Sequence, residues 1–160
     1  FIQDDQLWRI LYKRGICYER SNRWNKAEND LIQSLKVQPN QPQVLNYLAY
    51  GWLERNVSID KSLEMLKRAT KAYPDSFYIL DSLAWAYYKK KNFLKAVEIM
   101  EKVLILAPAE AISLDHLGDI YFALGRKREA YFMWIQAQDL ADPDDNISES
   151  VKLKIDKFNE

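Results

Sequence analysis

The stretch that decides the fold is LDHLGDIYFALGRKREAYFMWIQA, residues 114–137. Apolar residues recur every three or four positions in each half of this stretch, which predicts two amphipathic helices. A polar turn that begins at Gly125 separates the halves, and glycine is suited to the left-handed conformation that ends a helix. Small residues lie where the two helices would approach closely, at Gly118, Ala130 and Ala137. The stretch therefore predicts an antiparallel pair of helices.

Prolines indicate that this helix pair is repeated along the chain. Pro39, Pro74, Pro108 and Pro143 are separated by 35, 34 and 35 residues. A period of this length is typical of two-helix repeats. Each proline should end the second helix of its pair, because proline lacks an N–H and clashes with the preceding turn. Stacked repeats present extended binding surfaces, so we expect function at a surface and not in a catalytic pocket.

Other residues keep the phase that the prolines set. In every repeat a small residue is followed three positions later by a large aromatic residue: Gly15 and Tyr18, Ala49 and Trp52, Ala84 and Tyr87, Gly118 and Tyr121. Two more small or compact positions follow: Ala27, Ser62, Ala96 and Ala130, then Ser34, Ala69, Val103 and Ala137. A large apolar residue lies between them: Leu31, Leu66, Met100 and Trp134. Since one helix pair cannot bury its apolar stripe alone, neighbouring pairs must stack.

This pattern resembles the tetratricopeptide repeat, whose motif runs W-x2-L-G-x2-Y, then A-x3-F-x2-A, then P. The resemblance covers about residues 8–143 and is clearest in the fourth repeat. The chain departs from the motif by one extra residue near Val57–Ser58 and by the late position of Pro143. The resemblance implies an all-α fold, a right-handed superhelical solenoid of about four helix pairs with a C-terminal capping helix.

The same phase divides the chain into repeats within a single domain, residues 1–160. We expect repeats at about 8–41, 42–76, 77–110 and 111–144. The capping helix is predicted at about 146–158, because Ile147, Val151, Ile155 and Phe158 fall on one helical face. It should shield the last repeat, including Tyr131 and Trp134. A membrane-surface helix is the alternative, which Glu149 and Asp156 disfavour.

Composition narrows the classes of partner. The 23 basic and 23 acidic residues give a net charge of zero, which disfavours nucleic acid or a membrane surface as the main partner. No apolar run is long enough for direct membrane insertion. The lone Cys17 excludes an internal disulfide, and its mid-helix place predicts a packing role. No cofactor is expected. Because the chain begins at Phe1, we expect a fragment of a longer protein, in either the bacterial cytoplasm or the periplasm.

The resemblance also implies where a ligand would bind. In tetratricopeptide-repeat proteins the first helix of each pair lines an inner face, with four exposed positions per repeat. Carried over to this chain, these positions supply the candidate peptide-binding residues Tyr12, Asn46, Tyr50, Tyr78, Asp81, Trp85, Tyr88, Asp115, Asp119 and Phe122. Aromatic side chains give large contact areas at low entropic cost. Together with the aspartates they predict a protein or peptide ligand with apolar anchors and at least one basic group.

Two alternatives to this groove stay open. The aromatic residues could pack on one another or on an adjacent repeat, and Asp81, Asp115 and His116 could serve as inter-repeat contacts. One known ligand class is not expected, since the clamp that grips the acidic tails of heat-shock chaperones needs Lys, Asn and Arg. The matching positions hold Tyr12, Ile16, Tyr47, Tyr78 and Ser82.

An enzyme is not expected either. His116 lies beside Asp115 and near Asp119 in sequence, but adjacent helical positions point in different directions. The chain contains no Gly-rich phosphate loop, nucleophile elbow or H-E-x-x-H motif. We therefore interpret His116 as a surface or inter-helix histidine.

Three stretches resemble the C-terminal repeats of large bacterial tetratricopeptide-repeat proteins. They are VLNYLAY at 44–50, LDSLAWAY at 80–87 and DHLGD at 115–119. Many such proteins are alphaproteobacterial, and many are thought to act in the cell envelope. The resemblance implies a second possible role, a structural or self-associating segment of a larger envelope protein. In that role the N-terminal end near Trp8 would stack on further repeats or on another copy.

Overall fold

The computed structural model describes residues 4–143 and 146–159, without the side chains of Asp4 and Asp5. Across these residues the chain forms nine α-helices and no strand, so the predicted all-α fold is confirmed. The helices fall into two compact units, Phe1–Pro74 and Asp75–Glu160, called here the N-terminal and C-terminal units. The single domain and the hand of the superhelix stay predictions. Residue 144, the predicted end of the fourth repeat, lies outside the described residues.

The N-terminal unit contains two helix pairs. Its helices are α1 (Asp4–Arg20), α2 (Trp24–Val37), α3 (Pro42–Glu54) and α4 (Ile59–Ala72). Within it, α1 packs on α2, α2 on α3 and α3 on α4. Its core is formed by Leu31, Val44, Leu48 and Trp52. These residues come from α2 and α3, so the interface between the two pairs holds the unit together.

The C-terminal unit contains two helix pairs and one further helix. Its helices are α5 (Phe77–Lys89), α6 (Phe93–Leu106), α7 (Ala111–Ala123), α8 (Lys127–Leu140) and α9 (Asn146–Asn159). Met100, Leu117, Trp134 and Val151 belong to one buried apolar cluster that draws on α6, α7, α8 and α9. The last helix is therefore part of the core of this unit.

The small and compact positions predicted from the repeat pattern are all buried. They lie where the two helices of a pair cross, and the side chain beside them fills the gap, as Leu31 and Met100 do with no exposed surface. Two of the positions also donate a hydrogen bond to the preceding helix. Ser34 Oγ donates to the Trp8 carbonyl at 2.8 Å, and Ser62 Oγ to the Ala49 carbonyl at 3.1 Å.

The turns inside the four helix pairs share one backbone feature. Soon after the first helix ends, each turn has a residue with positive φ: Asn22 (58°), Asn56 (53°), Lys91 (60°) and Gly125 (79°). The next N–H then donates to a carbonyl five residues back: Arg23 to Tyr18, Val57 to Trp52, Asn92 to Tyr87 and Arg126 to Tyr121. This bond satisfies a carbonyl that the ended helix leaves open. The left-handed cap predicted at Gly125 is confirmed.

The second helix of each pair ends shortly before its proline. These helices end at Val37, Ala72, Leu106 and Leu140. The extra residue predicted near Val57–Ser58 produces an irregular turn, in which Ser58 joins Asn56 at positive φ. Otherwise the units correspond closely, because Trp24 and Phe93 begin α2 and α6, and Pro42 and Ala111 begin α3 and α7, each pair 69 residues apart.

The predicted closing helix is present as α9. Val151 and Ile155 are buried against the core of the C-terminal unit. The Phe158 ring stacks on Tyr131, with ring centroids 4.8 Å apart. Within the described ranges no helix combines the length and the apolar character that a membrane-spanning segment requires.

Candidate functional site

A pocket of about 560 Å³ opens in the N-terminal unit, and we call it the N-terminal pocket. Its lining residues are Glu19, Asn46, Tyr47, Tyr50, Gly51, Glu54 and Arg55. Most of them come from α3, where Asn46, Tyr50 and Glu54 are spaced four residues apart and so share one helical face. Glu19 comes from the last turn of α1. The pocket thus lies between the first helices of two neighbouring pairs.

Tyr47 forms one wall of the N-terminal pocket. Its ring meets the Tyr12 ring edge to face, with centroids 5.9 Å apart. Its hydroxyl donates to Glu19 Oε2 at 3.3 Å. Burial, followed by the neighbouring Glu19 carboxylate, raises the pKa of Tyr47 to about 12, so the phenol remains a protonated donor at neutral pH. Tyr12, a predicted ligand contact, therefore packs against Tyr47 and is not among the residues that line the pocket.

Arg55 lies at the border of the pocket and is already engaged. Its guanidinium lies 4.0 Å from the centroid of the Trp24 ring, and one nitrogen donates to the Gly51 carbonyl at 3.1 Å. Another nitrogen is 3.6 Å from a Glu19 carboxylate oxygen. With Glu54, the lining holds two carboxylates against one guanidinium. The pocket therefore favours a cationic over an anionic ligand group.

Asn46 lines this pocket and carries an unsatisfied acceptor. Its Oδ1 is buried and has no hydrogen-bond partner among the described residues. A buried acceptor without a donor costs about 1–3 kcal/mol. Tyr50 lies one helical turn further along α3 and is half-buried. A ligand group placed in the pocket would contact both the Asn46 side chain and Tyr50.

Two predicted site residues of the C-terminal unit already bind a lysine of α9. Lys154 Nζ is 2.6 Å from Asp115 Oδ1 and 2.8 Å from Asp119 Oδ1. Trp134 Nε1 donates to Asp119 Oδ1 at 3.2 Å. The lysine also lies 5.9 Å from the centroid of the Trp134 ring. The site therefore holds an ammonium between two carboxylates and an aromatic face, supplied by the chain itself.

Burial and charge pairing act in opposite directions on the pKa values of Asp119 and Lys154. Burial raises the pKa of Asp119 above its ordinary value, because Lys154 offsets the burial only in part and Asp115 adds repulsion. Burial alone would lower the pKa of Lys154, yet the two carboxylates together raise it. The ammonium is thus held firmly, while Asp119 depends on it to remain ionised.

A buried stack joins α5 and α7 in the same unit. His116 Nδ1 lies 2.9 Å from Asp81 Oδ2, and both residues are buried. The His116 ring stacks on Trp85 at 4.0 Å, and Trp85 stacks on Tyr88 at 4.5 Å. The interpretation of His116 as an inter-helix histidine is confirmed. Trp85 and Tyr88 also pack on one another, as expected from the alternative in which the aromatic residues stack and do not line a groove.

The predicted exposure of several groove residues is wrong. Asp81 and Trp85 are only 6% and 7% exposed, because α7 packs over α5 and His116 contacts both side chains. Asp115 and Asp119 are not available to a basic ligand, because Lys154 holds them. The corresponding residues of the N-terminal unit are Asn46 and Tyr50, which the structure brings together in the N-terminal pocket.

The remaining predicted residues lie at the surface of the C-terminal unit. Tyr78 and Phe122 are 41% and 48% exposed, and Tyr88 is half-buried. Phe122 borders a cavity of about 230 Å³ that Trp134 and Lys154 also line. Tyr78 and Tyr88 are not among the residues that line this cavity.

Sequence reasoning missed the importance of Lys154. A signal for it existed, because Lys154 follows Val151 by three residues and precedes Phe158 by four, which places it beside the apolar face of α9. It also missed Tyr47 and Arg55 as pocket residues. The packing role predicted for Cys17 is wrong, since this residue is exposed. Gly15, two positions earlier, faces Leu31, so the helical period turns Cys17 away from α2.

The helix pairs, their turns and their buried small residues define a helical repeat protein with the tetratricopeptide-repeat fold. Residues 53–111 match the sequence model of the tetratricopeptide repeat family. A TPR repeat-containing protein of Pseudomonas aeruginosa is 28% identical over 110 residues, which are 69% of this chain and 18% of that protein. The chain thus matches less than a fifth of the length of this relative.

Solved structures with the same fold bear out the architecture. A thermophilic TPR protein of Thermus thermophilus superimposes with a TM-score of 0.79 and 20% identity, over 92% of this chain and 82% of that one. MamA of Desulfovibrio magneticus superimposes with a TM-score of 0.70 and 22% identity, over 83% of this chain and 75% of that one. The first TPR of Spaghetti, solved with an HSP90 peptide, superimposes with a TM-score of 0.63 and 18% identity, over 74% of this chain and 90% of that one. Proteins with this fold are generally non-catalytic scaffolds that bind proteins or peptides.

Proposed function

We propose that this chain is a non-catalytic protein-binding module whose N-terminal pocket takes a peptide or helix with apolar and basic groups. The observation that carries the proposal is the pocket of about 560 Å³ that Asn46 and Tyr50 line beside the carboxylates of Glu19 and Glu54. A peptide N–H could supply the donor that the buried Asn46 Oδ1 lacks only if the Asn46 side chain turned toward the pocket. Tyr50 gives an apolar contact, and Glu19 and Glu54 attract a cationic side chain.

The C-terminal unit supports the choice of a basic group. There the chain pairs a lysine with two carboxylates beside an indole ring, at the positions that correspond to Asn46 and Tyr50. We propose that Tyr78, Tyr88 and Phe122 extend the contact surface of the C-terminal unit, while Asp81, Trp85, Asp115 and Asp119 shape it from within.

Peptide titration tests this proposal. Fluorescein-labelled peptides in which one lysine is flanked by Leu and Phe are titrated with the intact chain and followed by fluorescence anisotropy. Tyr50→Ala and Asn46→Leu should each weaken binding about tenfold or more. Tyr73→Ala is the matched control, because Tyr73 is an exposed tyrosine of the same unit that does not line the pocket. Equal affinities for Tyr50→Ala and Tyr73→Ala would refute the pocket as the binding site.

A second role, as a self-associating segment of a larger bacterial envelope protein, has support of its own. The Pseudomonas relative is much longer than the matched segment. On α1, Ile10 is 46% exposed near the N-terminal end. This role predicts a dimer by light scattering that Ile10→Glu converts to a monomer. A monomer at every concentration would favour the peptide-binding role.

A further inference from the structure

A second cavity of the N-terminal unit has a different chemical character. We call it the outer groove; it lies among α2, α3 and α4 and has a volume of about 310 Å³. Its floor is apolar and includes Leu35, Leu48, Trp52 and Met65. Leu48 and Trp52 are buried, and Trp52 Nε1 is satisfied by Glu28 Oε1 at 2.5 Å. The floor therefore suits an apolar side chain. The Trp52 indole N–H is already bonded to Glu28 and is not available to a ligand.

Two cations stand at the rim of the outer groove. Lys36 and Arg68 both line it and are exposed. Arg68 donates to the Asn40 side-chain oxygen, a neutral acceptor, and Asn40 is held at positive φ (66°) directly after Pro39. Within the described part of the chain, neither Lys36 nor Arg68 is paired with a carboxylate. Two unneutralised positive charges thus flank an apolar floor.

The corresponding surface of the C-terminal unit keeps the apolar residues and lacks the charges. Across the 69-residue offset, Leu35 and Trp52 correspond to Leu104 and Tyr121. Across the 68-residue offset of the fourth helices, Met65 corresponds to Met133. The rim differs, with Ile105, Ala109 and Gln136 in place of Lys36, Asn40 and Arg68. Both units keep the apolar floor. Only the N-terminal unit has Lys36, Arg68 and the Asn40 that binds Arg68 at these positions.

We propose that the outer groove is a second docking surface, which takes a protein segment with a large apolar side chain flanked by carboxylates. The apolar side chain covers the floor between Leu48 and Met65, and the carboxylates pair with Lys36 and Arg68. Charge complementarity favours this occupant over a basic one. The outer groove shares no lining residue with the N-terminal pocket, so this inference stands apart from the function proposed above.

The three methionines make the test site-specific. Met65 lines the outer groove, Met133 occupies the corresponding place in the C-terminal unit, and Met100 is fully buried there. The intact chain is labelled with ¹³C in its methionine methyl groups. It is titrated with a synthetic octapeptide that has Leu-Phe at its centre and two aspartates on each side. We expect the Met65 methyl signal to shift in a saturable manner, while the Met100 and Met133 signals stay in place.

Substitutions drawn from the chain itself test the charges. Lys36→Ile with Arg68→Gln gives the N-terminal unit the rim of the C-terminal unit. We expect this double variant to bind the octapeptide at least tenfold more weakly, and Lys36→Arg with Arg68→Lys to retain binding. Both rim residues are exposed, so the thermal midpoint should stay unchanged. Binding should also weaken as ionic strength rises, because salt screens exposed charges.

Three results with the octapeptides would overturn the proposal. They are an unmoved Met65 signal, equal affinity of the wild type and the double variant, and equal affinity for an octapeptide with lysines in place of the aspartates. Laurate is titrated in parallel to test a fatty acid as the occupant of the groove. A Met65 shift at a lower concentration of laurate than of the octapeptide would also overturn the proposal. If the double variant loses its fold, the single variants Lys36→Ile and Arg68→Gln decide the matter by the same readout.

Discussion

The two units use corresponding surfaces in opposite ways. In the C-terminal unit, Asp115 and Asp119 of α7 hold Lys154, and α9 is part of the core. In the N-terminal unit, the corresponding positions of α3 are Asn46 and Tyr50, which line an open pocket of about 560 Å³. The same place on the fold is therefore filled by the chain itself in one unit and left open in the other. Acidic residues alone do not identify the surface that is free to bind.

A second pair of corresponding contacts differs as sharply. Tyr12 and Tyr47 meet edge to face in the N-terminal unit. In the C-terminal unit, 69 residues further on, the pair is Asp81 and His116, which are buried and 2.9 Å apart. Removal of one ring of an aromatic pair loses only about 0.5–1.5 kcal/mol beyond the lost burial. A buried carboxylate loses its partner outright, so the C-terminal pair is the less tolerant one.

The largest expected effect is the loss of this buried partner. His116→Ala leaves the Asp81 carboxylate buried, with its second oxygen already lacking a partner, and should lower the free energy of unfolding by about 3 kcal/mol. Tyr47→Ala, at the corresponding position, should cost about 1–2 kcal/mol, because Tyr47 is half-buried and its hydrogen bond is long. Urea unfolding of both variants measures the difference. Equal losses would remove the contrast between the two pairs.

The next effect concerns the lysine that fills the C-terminal site. Lys154→Met removes the ammonium from two largely buried carboxylates and should cost about 2 kcal/mol at pH 7, reduced by the partial exposure of Lys154. Without the ammonium, the pKa of Asp119, which burial already raises, rises further in the folded state. The folded variant then binds more protons than the unfolded chain above about pH 4, so its stability increases as pH falls.

Unfolding measured between pH 7 and pH 5 checks the sign of this effect. The deficit of Lys154→Met relative to the wild type should shrink toward pH 5. Adding Asp115→Asn and Asp119→Asn to the variant should make its stability deficit independent of pH over this range. A deficit that grows on acidification would contradict the assignment of Lys154 as the counter-charge.

A smaller effect separates two of the glycines that lie within helices, Gly51 of α3 and Gly118 of α7. A Cβ at Gly118 would overlap the Trp134 indole, and one at Gly51 would overlap the Trp24 indole. Trp134 is 4% exposed and bonded to Asp119, whereas Trp24 is half-buried and can shift more readily. The helix propensity of alanine returns about 1 kcal/mol in both cases. We expect Gly118→Ala to lose about 1 kcal/mol net and Gly51→Ala to be close to neutral by thermal unfolding.

The smallest effect lies in the turns. Lys91 and Gly125 occupy corresponding left-handed positions, but only glycine adopts positive φ without steric cost. Lys91→Gly should therefore stabilise the chain by about 0.5–1 kcal/mol, and Gly125→Lys should destabilise it by a similar amount. Chemical denaturation of the two variants should give shifts of opposite sign. Shifts of the same sign would contradict a common turn geometry.

The sequence was sufficient for the helices, because their signals are local. Prolines, the glycine of the last turn and the small crossing residues each act within a few positions, and they predicted where the second helices end and which small residues are buried. The closing helix was predictable for the same reason, since Val151 and Ile155 fall on one face.

The site was harder to predict, because it depends on which helices meet. Nothing local to Asp115 indicates that Lys154, 39 residues later, will reach it. The exposure of Trp85 was misjudged because His116 arrives from another helix pair. Asn46 and Tyr50 were identified by their position in the repeat, but their common pocket requires the neighbouring Glu19 and Tyr47 in three dimensions.

Hydrogen exchange of the intact chain, measured by mass spectrometry with and without the lysine-bearing peptide, tests the central claim most directly. The account predicts that the peptide protects amides in α3 around Asn46 and Tyr50, and leaves α7 around Asp115 and Asp119 unchanged. Protection of α7, or of neither helix at saturating peptide, would contradict the claim that the N-terminal unit holds the open site.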